Sequence, residues 1–471
     1  MTQILSGKNF ALILGIMIFI IMIFMPPLGG MTLPAWRAAA LVILMAIWWM
    51  TQALPLTITA LLPFLVLPLM DIMPAKDVAA EYYSPILFLI LGGAFIALAI
   101  ERVGLHSRVA ISMLKYSGKS NFGMLITFMA ATAFLSMIIS NTSTTLIMIP
   151  IAIAVLRAGG FKSGDTFGMA GALMMGIAFS ASIGGLGTLV GSPTNAIAAG
   201  LINKQLGMDI NFLRWASFGM PIVIISVPIC ALILSHVQKL SADIFNVTAA
   251  KKAIGHVPIW SIAEKRLIPI ISLVIIAWIL QPFAEPYLPK GAITDGSIAI
   301  AGALFLFIVQ DGTGRPLLIW KEAERAPWGV IMMFGGGLAL AAGITASGLS
   351  DWLGQVLQPL QHIHPLIVAA LVVAMVILIT EFASNVATAS GIMPVIASLA
   401  LATGIDPIIL AMPAAMAASW GFMLPSGTGP NALAWASDHI ELPKMLRAGA
   451  YLDIAGIPII VGVVWAVNAM M

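Results

Sequence analysis

Apolar runs of about twenty residues recur along the whole chain, separated by short polar turns, and each is long enough to cross a bilayer as a helix. They lie at about 10–28, 34–50, 56–70, 84–101, 166–198, 216–236, 267–282, 297–310, 326–348, 406–434 and 448–468. Two longer stretches, about 122–157 and 365–403, carry small polar residues at their centres. These are Ser140-Asn141-Thr142 in the first and Ser384-Asn385-Val386 in the second. Hydropathy alone allows each to be one long span, two spans, or a re-entrant hairpin entering and leaving on the same side.

The two centres are copies of one another. Ser136 answers to Thr380, Thr144 to Thr388 and Pro150 to Pro394, all at an offset of 244 residues. Upstream, Gly92-Gly93 and Gly104-Leu105 match Gly336-Gly337 and Gly348-Leu349 at the same offset. One ungapped offset through two separated patches marks an internal duplication with its most polar residues at the duplicated centre.

Charge decides the path of the two long stretches. Lys115 and Lys119 precede the first, and Arg157 and Lys162 follow it, so both its flanks read as cytoplasmic. His362 and His364 precede the second and Asp406 follows it, so both its flanks read as outside. Eleven crossings with the N-terminus inside then place 17 of the 22 Lys and Arg in cytoplasmic segments. The expected fold is an all-α polytopic membrane protein of inverted repeats, about eleven transmembrane helices and two opposed re-entrant hairpins. The loop 237–266 is the natural joint between the halves.

Composition agrees and narrows the function. The chain is 61% hydrophobic and 9% charged over 471 residues, with mean hydropathy +1.06, too little charge to coat a soluble protein of this length. The net charge of +3 is scattered through short loops and is no footprint for nucleic acid. Cys230 stands alone, which excludes a disulfide framework. The run from Phe10 to Phe24 leads to Met25-Pro26-Pro27 instead of a small-residue cleavage site, so it reads as a retained span.

Broken backbone at membrane depth is tolerated only where protein or a polar cavity satisfies its freed groups. A lone Asn or Ser in a span is ordinarily interhelical glue, but the repeat turns the Ser-Asn pairs into a candidate site at the repeat interface. A second pair of breaks supports this: Gly191-Ser192-Pro193-Thr194-Asn195 in the fifth crossing and Gly427-Thr428-Gly429-Pro430-Asn431 in the tenth. Carbonyls freed there, beside hydroxyls, are hard oxygen ligands for a small cation, while half-helix N-termini attract an anion.

These four motifs, in this order, resemble the divalent anion/sodium symporter family over nearly the whole chain. The resemblance implies a homodimer with a fixed scaffold (1–120 and 237–362) and a moving transport domain (121–236 and 363–471). It implies carriage of di- or tricarboxylates with Na+ by an elevator motion in a bacterial inner membrane, the C-terminus lying outside. One sodium ion would meet Ser136, Ser140, Asn141 and the Gly191 backbone, the other Thr380, the Ala383 carbonyl, Asn385 and the Gly427 backbone. Substrate carboxylates would meet Asn141, Thr142, Pro193, Asn385, Val386 and Gly429. Val386 departs from the Thr of many dicarboxylate carriers and removes one hydroxyl donor, and Gly429 would leave extra room.

Glu381, deep in the second hairpin, reads either as a cation or proton site or as an acceptor for hairpin backbone, the second being favoured. The His residues fall near membrane edges, and no further ligands for a metal accompany His362 and His364. Within transport, the alternative is an exchanger of citrate, dicarboxylate or another divalent anion not driven by sodium. No G-x-S-x-G, H-E-x-x-H or paired intramembrane Asp supports a hydrolase, so no enzyme is expected. A channel is the remaining class, and paired tips closing one midplane site suit it less well.

Overall fold

A computed structural model describes residues 7–118, 120–240, 245–254, 257, 259–289 and 291–471; Lys119, one of the flanking charges above, lies outside them. Most of the described residues are helical. Among the described residues the one β-type pairing is a single bridge between Gln310 and Pro316.

In the first half, α1 (Gly7–Phe24) and α2 (Leu33–Thr51) pair. The run at 56–70, expected to be one crossing, is instead two short helices, α3 (Leu56–Thr59) and α4 (Leu62–Leu69), followed by α5 (Ala75–Glu81). Prolines at 55, 63 and 68 explain the fragmentation, since each lacks an N–H to pair. Then come α6 (Pro85–Val103), α7 (Leu105–Leu114), α8 (Asn121–Ser136), α9 (Asn141–Ala158), α10 (Gly168–Gly185), α11 (Pro193–Leu206) and α12 (Phe212–Val237). The joint holds α13 (Val247–Ala253). The second half runs α14 (Ile262–Ala284), α15 (Asp295–Ile308), α16 (Trp320–Ala323), α17 (Trp328–Ala346), α18 (Leu349–Leu357), α19 (Pro365–Phe382), α20 (Asn385–Thr403), α21 (Pro407–Ala417), α22 (Gly429–Trp435) and α23 (Leu442–Met470).

The duplication is visible in the backbone. At the offset of 244, α6 through α9 superpose in order on α17 through α20. Both α6–α7 and α17–α18 corners turn on a left-handed glycine, Gly104 at φ +83° and Gly348 at φ +76°, a conformation that an L side chain resists. Among the described residues eleven helices are long and apolar enough to cross a membrane, the number expected, though not the same set. The arms α9, α19 and α20 are among them, whereas α15 and α21 are shorter apolar helices, as is the run Leu56–Leu69.

The core forms around α10, in which every residue is buried. Its Gly, Ala and Ser positions let neighbouring backbones close in: a Cβ on Gly184 would lie 2.3 Å from the Ala133 carbonyl oxygen of α8. Two non-helical stretches run through this core, 186–192 between α10 and α11 and 418–428 between α21 and α22. The first is pinned by Asn195, whose Nδ2 donates to Gly185 O at 2.7 Å and Thr188 O at 2.8 Å. Trp215 Nε1 donates to Leu186 O at 2.9 Å. In the second, Asn431 Nδ2 donates to Leu424 O at 3.0 Å.

Replacing Asn195 by Ala therefore orphans the buried Gly185 carbonyl and leaves Thr188 O with Gly191 N alone, and is expected to lower stability by about 1–3 kcal/mol. Thermal unfolding of the purified protein in detergent measures it. A midpoint equal to that of the parent would show that the break needs no such support.

Candidate functional site at the two hairpin centres

Both centres are built by the same local rule. Between α8 and α9 the chain leaves the helix, and Ser140 takes extended backbone and caps α9, its Oγ accepting Ser143 N at 3.2 Å. Ser384 caps α20 in the same way, accepting Ala387 N at 3.2 Å. A Ser at this position satisfies one of the N–H groups a helix start leaves open. The next residue, Asn141 or Asn385, begins the helix with its side chain free for other partners.

That side chain meets the end of the preceding helix. Ser136 Oγ lies 2.7 Å from Asn141 Oδ1 and 2.7 Å from Ala181 O of α10. Thr380 Oγ1 lies 3.0 Å from Asn385 Oδ1 and 2.8 Å from Ala418 O, just past α21. The two clusters thus match atom by atom. The Thr380 hydroxyl has one proton to give and faces two acceptors.

The first cluster has a further property. The end of the Asn141 amide that holds Oδ1 faces Ser136 Oγ at 2.7 Å and both Ala181 O and Gly191 O at 3.2 Å, so it meets oxygens alone. Turned over, the amide offers its NH2 to all three. That is the orientation its surroundings satisfy, with Ser136 Oγ accepting from the amide and giving its own proton to Ala181 O.

The remaining residues singled out from the sequence fall around these clusters. Ala383 is buried in extended conformation (φ −116°, ψ 159°), so its carbonyl lies outside the helix pattern. Gly427 lies against the Glu381 carbonyl, with 3.4 Å from its Cβ position to that oxygen. Thr142 belongs to the first centre yet touches the second break: a Cβ on Gly429 would stand 2.5 Å from Thr142 Oγ1. The room expected beside Gly429 is thus occupied by a hydroxyl. Helix α11 in turn packs on α20, so each half's break seats against the other half's hairpin. Pro193 shares a cavity with Ser140, Ser143 and Ser192. Val386 is half-buried among apolar side chains.

Glu381 is wholly buried and is an acceptor for the broken backbone: its Oε1 takes the N–H of Phe422 and, at 2.9 Å, of Met423, and its Oε2 takes Leu424 N at 3.0 Å. The alternative favoured from the sequence describes what it does here, though the backbone it holds belongs to the second break.

Sequence reading missed the carbonyls of Ala181 and Ala418, since a backbone oxygen leaves no mark in residue type. A signal was present nonetheless. Ala181-Ser182-Ile183-Gly184 and Ala418-Ser419-Trp420-Gly421 match at an offset of 237, which a search fixed at 244 passes over. Repeat-related oxygens also lack a protein hydrogen-bond partner in both halves: Thr144 and Thr388 Oγ1, Ser182 and Ser419 Oγ, and Asn195 and Asn431 Oδ1.

Comparisons with known proteins agree with this picture. Residues 6–471 match the model of the sodium:sulfate symporter transmembrane region. The sodium-dependent dicarboxylate transporter SdcS of Staphylococcus saprophyticus is 34% identical over 473 residues, covering 98% of this chain and 91% of that protein. SdcS of Staphylococcus aureus is 36% identical over 479 residues with the same coverage. The crystal structure of the Alcanivorax borkumensis YdaH transporter shares the fold, with a TM-score of 0.52 and 15% identity, over 93% of this chain and 98% of that one. A match through nearly every residue, on a chain with duplicated oxygen clusters at two helix-pair centres, places this multi-pass membrane protein in the sodium:sulfate symporter family.

Proposed function

We propose that this chain is a sodium-coupled symporter of C4-dicarboxylates such as succinate, malate and fumarate, working by elevator-type alternating access. The observation that carries the reading is the matched pair of oxygen clusters, Ser136–Asn141–Ala181–Gly191 and Thr380–Asn385–Ala418. The SdcS relatives, named as sodium-dependent dicarboxylate transporters, support it. Under this reading one sodium ion sits with Ser136, Ser140, Asn141 and the Gly191 backbone, the other with Thr380, Ala383, Asn385 and the Gly427 backbone. The dianion lies between them against Asn141, Thr142, Pro193, Asn385, Val386 and Gly429. None of these residues carries a positive charge, so bound sodium supplies it, helped by the N-terminal dipoles of α9, α11 and α20.

The same reading makes α8–α9 and α19–α20 re-entrant hairpins, opening inward and outward respectively. It places the chain in a bacterial inner membrane as a homodimer, N-terminus cytoplasmic and C-terminus outside, with no covalent chemistry to perform. Segments 1–120 and 237–362 form the scaffold, and 121–236 and 363–471 the moving domain. Exchange of citrate or another divalent anion without sodium is the second reading. It is favoured by the turned-over Asn141 amide, which closes the first cluster without a cation.

Purified protein in liposomes is expected to accumulate labelled succinate only with sodium outside. Sodium and substrate should tighten each other's binding by the same factor. Ser136→Ala and Thr380→Ala should weaken sodium activation first and succinate affinity only as its consequence. Equal binding of succinate in sodium and in choline would sink the symport reading in favour of exchange.

The space around Thr142 gives a separate test. Gly429→Ala sets a methyl against Thr142 Oγ1 and is expected to raise the KM for succinate on the order of tenfold, with sodium activation unchanged. An unchanged KM removes this contact from the substrate site.

For the hairpins, single cysteines near Lys162 should label from the cytoplasm alone, and those near His364 or Thr403 from outside alone. Opposite-sided labelling of His364 and Thr403 would exclude a re-entrant second hairpin.

A further inference from the structure

A cavity of about 220 Å3 opens beside the first hairpin centre. Its lining holds Ser140, Ser143, Ser192 and Pro193, and also Glu101 and Arg325. The rest of its wall is apolar and includes Leu89, Ile90, Ala94 and Leu98 of α6 together with Leu189 and Val190. Two residues of opposite formal charge therefore line the same mostly apolar cavity as Ser140 of the first Ser-Asn pair.

Neither charge is spent on the other or on a neighbour. Arg325 is exposed, and its Nε reaches only the Glu322 carbonyl at 3.4 Å. The Glu322 carboxylate is taken by Arg102 at 3.3 Å and Arg315 at 2.8 Å. Glu101 is half-buried, and among the described residues neither it nor Arg325 has an ion-pair partner. The loop that carries Arg325 is nonetheless anchored. Arg102 of α6 bonds Asp311 at 2.5 Å and the Pro316 carbonyl at 2.8 Å. Arg325 also belongs to the 311–325 segment, whose Arg315, Lys321 and Arg325 read as cytoplasmic.

We infer that Arg325 is the cytoplasmic entry and exit residue for the anion, drawing a substrate carboxylate into this cavity, and that Glu101 opposes it. The inference rests on the transport reading above. Apolar walls focus the field of a single cation, so Arg325 raises the local anion concentration at the inner mouth. Glu101 weakens that field, which keeps a dianion from being held there. The pair thus sets the affinity seen from the inside without touching the sodium clusters or the outer approach.

The test compares the two faces with one probe, labelled succinate. Sodium-dependent uptake is measured into right-side-out membrane vesicles, where the outer face meets substrate, and into inverted vesicles, where the cytoplasmic face does. Arg325→Gln should raise the KM in inverted vesicles about tenfold and leave the right-side-out KM unchanged. Arg325→Lys should restore most of it. Glu101→Gln should lower the inverted-vesicle KM about threefold, and both shifts should shrink as choline chloride is raised. An Arg325→Gln KM that is unchanged, or that moves equally at both faces, overturns the proposal. Should that variant lose transport from both sides, Glu101→Gln decides alone, and an unmoved cytoplasmic KM overturns it. Failure of the parent protein to require sodium would instead count against symport, with the comparison of faces still readable by exchange.

Discussion

The structure depends on one constraint: backbone that leaves the helix inside a membrane protein must find every hydrogen-bond partner within the protein. The stretches 186–192 and 418–428 meet it by different chemistry. Asn195 holds the first with a neutral amide. The second is held by Asn431 and by the three N–H groups that converge on Glu381. The duplication therefore preserves backbone shape while making the halves electrostatically unequal, because a buried carboxylate adjoins Thr380 and no equivalent adjoins Ser136. Under the sodium reading, a cation in the second cluster gains an attraction that one in the first lacks.

Much of this arrangement was legible in the residues. The offset of 244 predicted the correspondence of α6–α9 with α17–α20, and the Ser-Asn pairs marked the two centres, because capping chemistry and an inward-turned amide require those residue types at adjacent positions. The Gly-Pro-rich motifs marked both breaks for a similar reason. Other parts were hidden by their physics. Ala181 and Ala418 contribute only carbonyls, and the run at 56–70 has the hydropathy of a crossing although its prolines divide it. The three backbone partners of Glu381 come from 41 to 43 residues away, and no local pattern announces them. A repeat whose offset slips from 244 to 237 part-way along is also easily lost.

The contacts between the proposed scaffold and the proposed moving domain are uneven in kind. Lys204 of α11 pairs with Glu81 of α5, and Asp295, at the start of α15, accepts Phe212 N of α12 at 2.6 Å beside the stacked rings of Phe212 and Trp278. Burial pushes the Asp295 carboxyl up to about 6. An elevator motion as proposed would have to break these polar ties. The apolar faces beside them can slide with less loss, since lipid is as apolar as the side chains it replaces.

The cross-seating of Thr142 against Gly429, and of α11 against α20, has a consequence for how the molecule is made. A chain emerging from the ribosome presents the first hairpin centre some 280 residues before Gly429 exists. Until then that centre has helix starts, freed carbonyls and unpaired hydroxyls with no second half to cover them. The half-made protein must therefore shelter its most polar segment within the insertion machinery or leave it in the interfacial water. The seating of the two centres on one another is then a late event in biogenesis, and truncation near the middle removes the surface that covers the first.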